Sequence, residues 1–171
     1  MPPSQARPQR RAKKPARNET GFSSALRLRL NLRDSLLCLR GASTFRSDMC
    51  RLFDIHLTLV PPWNEASVPD AVAKLRQALE GLGRFSLTFE RLCYGPQARR
   101  PRLLWVECMP SAEILALQNA LLSAFDQTNE RPFGPHVTLA RIERNGGAVA
   151  KENPIDQALW LNQRVESVEL F

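Results

Sequence analysis

Two short segments constrain the fold of this 171-residue chain more than any other feature, because they hold its only two histidines. The segments read HLTL at residues 56–59 and HVTL at residues 136–139. Side chains alternate between the faces of an extended segment, so each histidine shares a face with the threonine two positions on, and the apolar residues occupy the other face. One apolar face is typical of a strand that covers a core. We therefore expect two core strands, each presenting an imidazole beside a hydroxyl.

Composition limits the class of protein. The chain is 43% hydrophobic and 24% charged, which is ordinary for a globular protein, and its length suits one domain. No apolar run reaches the roughly 18 residues that a membrane-spanning helix needs, and the N-terminus lacks a secretory signal. The cysteines lack CxxC spacing, which argues against a disulfide framework and a structural zinc site. We expect a cytoplasmic, monomeric protein that binds no membrane.

Positive charge is concentrated at the N-terminus. Residues 1–20 hold six basic residues and one acidic residue, 6 − 1 = +5, out of a net charge of +7 for the whole chain. The remainder carries 18 basic and 16 acidic residues, 18 − 16 = +2. We predict a disordered basic tail over residues 1–24 and one domain over residues 25–171. The tail could bind RNA or anionic surfaces, or could simply be solvated, and any basic patch on the domain must be local.

Hydrophobic periodicity predicts a mixture of strands and helices. A capping-box pattern begins at Ser67, and the second helix is expected to start at residues 110–111. Apolar residues spaced three or four positions apart follow both, which predicts two helices. Pro61 and Pro62 are expected to end the first motif strand, since proline cannot donate to a ladder. The predicted order is strand 25–33, an unassigned segment 34–50, motif strand 52–60, helix 67–82, strand 85–90, strand 103–108, helix 111–125, motif strand 135–142, turn 145–147 and strand 164–171.

The paired histidines and threonines suit acid–base chemistry on a phosphate. Histidine titrates near neutral pH, so one neutral ring can accept a proton while a second, protonated ring delivers one. Threonine hydroxyls on the same face can donate hydrogen bonds to an anion held between them. A structural role is the usual explanation for a single histidine in an apolar strand, and two histidines alone do not make a zinc site. The repetition of the whole pattern favours a catalytic interpretation.

The two motifs, with Arg141 closing the second, resemble the paired HxTx motifs of the 2H phosphoesterase superfamily, in particular its bacterial 2′-5′ RNA ligase or RNA 2′,3′-cyclic phosphodiesterase branch. The resemblance implies a bilobal, pseudo-twofold α+β fold of the LigT-like type. In that fold two antiparallel sheets line a central cleft, with the helices outside. It implies His56 and His136 as the acid–base pair and Thr58 and Thr138 as phosphate ligands, with no metal and no other cofactor.

Four further residues are candidates for the site. Arg141 matches the basic residue that closes the second motif in the family, where it would contact phosphate, but strand parity puts it on the face opposite His136 unless the strand contains a bulge. Trp63 and Phe133 lie near loop ends and could stack a base, or pack at the rim, as could Tyr94. The first motif departs from the family, because it continues as VPPW over residues 60–63.

The resemblance implies a metal-independent phosphodiesterase that opens the 2′,3′-cyclic phosphate at the end of an RNA or on a nucleotide, or a 2′-5′ RNA ligase running the same step in reverse. Two alternatives remain open. The protein could bind nucleotides or RNA in the same cleft without catalysis, or could act on a small cyclic phosphate such as an ADP-ribose derivative. The near-neutral domain favours short substrates, because long RNA generally needs a basic track.

Overall fold

The computed structural model of the protein describes residues 22–29, 50–52, 55–143 and 145–171. Most of the predicted tail and of the unassigned segment 34–50 lies outside these residues. The disorder of the tail therefore remains a prediction, and the segment 34–50 remains unassigned. The first strand begins at Phe22, three residues before the predicted boundary (25 − 22). In chain order the elements are β1 (Phe22–Arg29), β2 (Cys50–Leu52), β3 (His56–Glu65), α1 (Val68–Leu79), β4 (Ser86–Gly95), β5 (Leu103–Cys108), α2 (Ala112–Ala124), β6 (His136–Ile142), α3 (Gly146–Glu152), β7 (Asp156–Arg164) and β8 (Val168–Leu170).

The described strands form one antiparallel sheet in the order β7-β4-β5-β6-β3-β1-β8, with β2 paired to β6. The expectation of two separate sheets is therefore wrong. The motif strands β3 and β6 pair directly, with Leu57 opposite Val137, and this pairing joins the two halves of the sheet. The sequence motifs show which face of each strand is apolar, but they carry no signal for which strand lies next to which. The fold class, α+β, is as expected.

The helices α1 and α2 pack against each other, and α2 contacts β3. Their N-termini are those predicted: Ser67 accepts a hydrogen bond from the backbone N–H of Asp70 at 3.4 Å, and Ser111 caps α2 in the same way. Apolar residues of α2 and of the sheet form one buried cluster. Within it the side chain of Gln118 donates Nε2–H to the carbonyl oxygen of Leu59 at 3.4 Å, which fastens α2 to the first motif strand.

The prediction that Pro61 and Pro62 end the first motif strand is wrong, because β3 continues to Glu65. The β1–β3 register shifts at this point, so that the two prolines lie where the ladder is irregular. Across from them, Ala25 exchanges its backbone hydrogen bonds with Phe171 at 2.8 and 2.9 Å instead of with β3. The carbonyl of Ala25 therefore needs no N–H donor from β3, and the strand tolerates the two prolines.

Two further predictions near the C-terminus are corrected. Residues 145–147 do not form an isolated turn: Asn145 is the N-cap of α3, and its side chain accepts from the backbone N–H of Ala148 at 3.4 Å. The strand predicted over residues 164–171 is confined to β8, and β7 before it was missed. Because β7 lies at the edge of the sheet and is largely exposed, with Trp160 at 70% exposure, its sequence lacks clean apolar alternation.

Candidate active site

The two motif strands are neighbours at the centre of the sheet. Leu57 of β3 and Val137 of β6 face each other, and both side chains are fully buried at 0% exposure. Alternation then places the histidine and threonine of each motif on the opposite, more accessible face. The structure agrees, because three of these four side chains are partly exposed and the fourth, Thr58, is exposed. The tertiary fold thus brings both motifs to one surface.

Antiparallel pairing crosses the two motifs. His56 comes directly before Leu57 on β3, and Thr138 comes directly after Val137 on β6. Because the strands are antiparallel, these two positions lie side by side. By the same geometry Thr58 lies beside His136. Each histidine is therefore next to the threonine of the other motif as well as two residues from its own. Four donor or acceptor groups therefore lie on neighbouring positions of one face, where they could contact the oxygens of one phosphate.

A shift of register follows the threonine of the second motif. In the β5–β6 ladder, Trp105 pairs with Thr138, but the preceding residue, Leu104, pairs with Ala140. The register passes over Leu139, which is the geometry of a β-bulge. A bulge moves every later residue of the strand to the other face. The burial pattern records this change, since Leu139 and Ala140 are both buried, at 0% and 3% exposure.

The bulge brings Arg141 to the face that carries His136. Without it Arg141 would point into the core beside residues such as Val137, whereas its side chain is exposed and the next residue, Ile142, is buried. The sequence motif alone could not show this reversal. The geometric condition for Arg141 to reach the motif face is therefore met.

The first motif repeats the same shift. Between two consecutive residues of β1 the partner changes from Thr58 to Val60, so Leu59 has no partner there. The residue that corresponds to Arg141 is consequently Pro61, which is exposed. The two motif strands share a bulge as well as a sequence pattern, but only the second supplies an arginine after it.

An arginine that the sequence argument passed over lies next to the first motif. Arg27 of β1 pairs with Thr58, so the two side chains share a face. Its guanidinium carbon lies 4.7 Å from the centroid of the Phe171 ring. Its Nε is buried and has no hydrogen-bond partner among the described residues. The alternation of arginine with leucine in β1 was the available signal, but it indicated only a polar face.

Two contacts orient the His136 ring. Its Nδ1 lies 2.8 Å from the carbonyl oxygen of Gly134, and because a carbonyl can only accept, Nδ1 must carry the proton. The ring of Trp105 packs against it, with centroids 4.3 Å apart at 46°. Trp105 is itself held by a hydrogen bond from Nε1 to Sγ of Cys93 at 3.2 Å. Nε2 is therefore the nitrogen of His136 that carries no proton in this tautomer.

The nearby thiols are not candidate nucleophiles. Burial raises the pKa of the Cys93 thiol, and burial raises the pKa of Cys108 to about 12. Both are therefore protonated at neutral pH, and the thiolate is the reactive form. Among the described residues no three histidine, cysteine or acidic side chains gather in a group that could hold a metal ion. None of the helices described is long and apolar enough to cross a membrane.

The aromatic candidates all contact other parts of the protein. Trp63 is seven residues beyond His56 (63 − 56), which is roughly 20 Å along a strand, and its ring packs on Phe125 with centroids 4.9 Å apart. Phe133 is partly buried against the core, three residues before the second motif. Tyr94 is buried, and its hydroxyl donates to the carbonyl oxygen of Asn153 at 2.7 Å. The stacking roles of Trp63 and Phe133 remain predictions.

Comparisons with known proteins identify the family and the fold of the chain. A family model described as the 2′-5′ RNA ligase superfamily matches residues 37–167. A crystal structure of a phosphoesterase is similar, with a TM-score of 0.67, 23% identity, and coverage of 88% of this chain and 87% of the other. The protein TT0787 of Thermus thermophilus has a TM-score of 0.70 at 18% identity, with 87% of each chain covered.

Escherichia coli LigT in complex with NADP⁺ is also similar, with a TM-score of 0.64, 25% identity, and coverage of 88% of this chain and 86% of LigT. LigT has also been crystallised with 3′-AMP and with ATP. No curated protein sequence matches the chain. The chain therefore has a LigT-like α+β fold.

Proposed function

This chain belongs to the 2′-5′ RNA ligase superfamily of 2H phosphoesterases, and on that premise we propose that it is a metal-independent phosphodiesterase that opens 2′,3′-cyclic phosphates at the ends of RNA or on nucleotides. His56 and His136 are the acid–base pair. Thr58 and Thr138 bind the phosphate, and Arg141 adds positive charge beside it. The observation that carries the proposal is the direct pairing of the two motif strands, which puts both histidines and both threonines on one accessible face.

The reaction needs one proton removed and one delivered. A neutral histidine takes a proton from water as the water oxygen attacks phosphorus, and the bond from phosphorus to one ribose oxygen breaks. The protonated histidine delivers its proton to that oxygen, so the product is a ribose phosphomonoester with a free hydroxyl. For His136, the proton held on Nδ1 by the Gly134 carbonyl leaves Nε2 as the exchanging atom.

The charge of the reacting phosphate is stabilised from the same face. The threonine hydroxyls can donate to its non-bridging oxygens, and a guanidinium provides paired N–H donors that match phosphate geometry. The complexes of LigT with NADP⁺, 3′-AMP and ATP support a nucleotide as the ligand of this face. Ligation of a 2′-5′ bond is the reverse of the same step, with a ribose hydroxyl in place of water.

The test is to incubate the protein with adenosine 2′,3′-cyclic phosphate, and with a short oligonucleotide ending in a 2′,3′-cyclic phosphate, in the presence of EDTA. We expect phosphomonoester products, seen by chromatography and phosphorus NMR. His56→Ala and His136→Ala should each lower turnover by about 10² to 10⁴, the usual contribution of general acid–base catalysis. Gln157→Ala, on the exposed strand β7, is the control.

Two results would reject the proposal. One is the absence of products from a folded sample, and the other is undiminished turnover in both histidine variants. Nucleotide binding that survives His→Gln substitution, with no product formed, would instead support a binding protein that uses the same cleft.

A further inference from the structure

A cavity of about 890 Å³ lies at one end of the second motif strand. It is formed by the β4–β5 loop, the end of β6 and the start of α3. Its charged lining consists of Arg99, Arg100, Arg102, Arg141 and Glu143, a formal net charge of 4 − 1 = +3. Residues 21–171 together carry only +2, so the cavity is a local concentration of positive charge on a nearly neutral domain.

Backbone contacts hold the arginine-bearing loop in place. The backbone N–H of Arg102 donates to the carbonyl of Gly95 at 2.9 Å, which closes the loop, and the carbonyl of Arg102 accepts from Ile142 at 2.9 Å, which joins the loop to β6. On the other side, Gly146 at the start of α3 lies so close to the carbonyl oxygen of Pro101 that a Cβ atom would collide with it. The loop backbone is therefore positioned before any ligand arrives.

Arg141 belongs both to the lining of the cavity and to the motif face. This residue lines the cavity, and the bulge at Leu139 puts it on the same face as Thr138. Arg141 is three positions beyond Thr138 along the strand, roughly 10 Å. An anion in the cavity and a phosphate at the motifs would therefore be close enough to belong to one small molecule or to adjacent positions of one chain.

We propose that this arginine cavity binds a second phosphate of the substrate, the one attached on the 5′ side of the ribose that carries the cyclic phosphate. The proposal rests on the function proposed above and narrows its substrate class. Guanidinium groups bind phosphate through paired, charge-assisted hydrogen bonds, and several around one cavity suit a diester or a phosphomonoester. Nucleoside 2′,3′-cyclic phosphates that lack a 5′-phosphate leave the cavity empty. They are therefore poorer substrates than those that carry one.

Comparing three substrates shows whether the second phosphate is a terminal phosphate or a phosphodiester. They are adenosine 2′,3′-cyclic phosphate, the same compound with a 5′-phosphate, and a dinucleotide that ends in a 2′,3′-cyclic phosphate. We expect kcat/KM to be at least about tenfold higher for one or both of the last two, the size of effect that a charge-assisted hydrogen bond produces. A gain with the 5′-phosphate identifies a terminal phosphate as sufficient, and a gain with the dinucleotide alone identifies a phosphodiester. Equal kcat/KM for all three would overturn the proposal.

The double variant Arg99→Ala/Arg100→Ala should abolish this gain through KM and leave turnover of adenosine 2′,3′-cyclic phosphate unchanged. Arg76→Ala/Arg84→Ala removes the same charge from exposed positions that do not line the cavity, and it is the matched control. Equal losses in the two double variants would show a general charge effect and would overturn the assignment to the cavity.

Measurements of ligand binding test the second phosphate site independently of the proposed catalytic function, because they require no turnover. By calorimetry, adenosine 3′,5′-bisphosphate should bind at least about tenfold more tightly than adenosine 3′-phosphate. This difference should disappear in Arg99→Ala/Arg100→Ala. Equal affinities in the wild-type protein would overturn the second phosphate site even if cyclic phosphates are hydrolysed, whereas the predicted difference would support it even if no turnover occurs.

Discussion

Leu57 on β3 pairs with Val137 on β6, and this pairing joins the two halves of the sheet. Both side chains are fully buried, so the residues on either side of them turn toward the accessible face. The bulges that follow each motif threonine add one more residue to that face from each strand. On the second strand this residue is Arg141, and on the first it is Pro61.

Arg141 should contribute to phosphate binding because the bulge puts it on the motif face. We expect Arg141→Ala to lower kcat/KM for adenosine 2′,3′-cyclic phosphate by about 10- to 100-fold, the cost of removing a charge-assisted contact. Arg141→Lys should recover only part of the loss, since lysine cannot form the paired donor geometry. Arg164→Ala, at the exposed end of β7, is the control. Unchanged kinetics in Arg141→Ala would remove this residue from the site.

The threonine hydroxyls are expected to act on the phosphate. Thr58→Val and Thr138→Val keep a β-branched side chain in the strand and delete only the hydroxyl. Each should lower kcat by about tenfold or more while thermal stability changes little, because the lost hydrogen bond is made to substrate. Thr88→Val deletes a hydroxyl that donates to Asn162 on the neighbouring strand at 2.9 Å and should leave kcat unaltered. Similar kcat in all three variants would contradict the assigned role.

Trp105 is expected to position the His136 ring. Trp105→Leu removes the ring contact and should lower kcat and displace the pH–rate profile, because the imidazole can then reorient. Trp105→Phe keeps an aromatic ring against His136 and loses only the Nε1 hydrogen bond to Cys93, so we expect its kcat to fall by less than about threefold. A purely structural role predicts lower stability in Trp105→Leu with an unshifted pH–rate profile.

Stability should fall at alkaline pH partly because of Cys108. Burial raises the pKa of this thiol from 9.0 to about 12, so between these values the folded state holds a proton that the unfolded state has released. The contribution of this protonated thiol to the free energy of unfolding is complete below pH 9 and is lost as the pH rises toward 12. Urea unfolding at pH 8 and pH 10 should show a smaller decrease in Cys108→Ala than in the wild type. An identical decrease would mean that Cys108 does not titrate between the two states.

The local chemistry of the chain could be predicted from its sequence. The two HxT segments identify their strands and the apolar face of each, and the signals at Ser67 and Ser111 identify the starts of both long helices, because strand alternation and helix starts depend on residues close together in the chain. For the same reason Pro61 and Pro62 were misjudged. Their effect on the strand depends on whether a neighbouring strand offers carbonyl groups that need their missing N–H donors. Ala25, the residue across from them, bonds to Phe171 instead.

What the tertiary structure decided is which segments meet. No local pattern predicts that β3 pairs with β6, that Arg27 lies opposite Thr58, or that Trp105 packs on His136, because these contacts join residues far apart in the chain. The bulge at Leu139 is likewise a property of the β5–β6 register, and it reverses the side on which Arg141 lies. The sequence thus determined which polar groups the two motifs carry, and the packing of the sheet against its core determined which of them share one face.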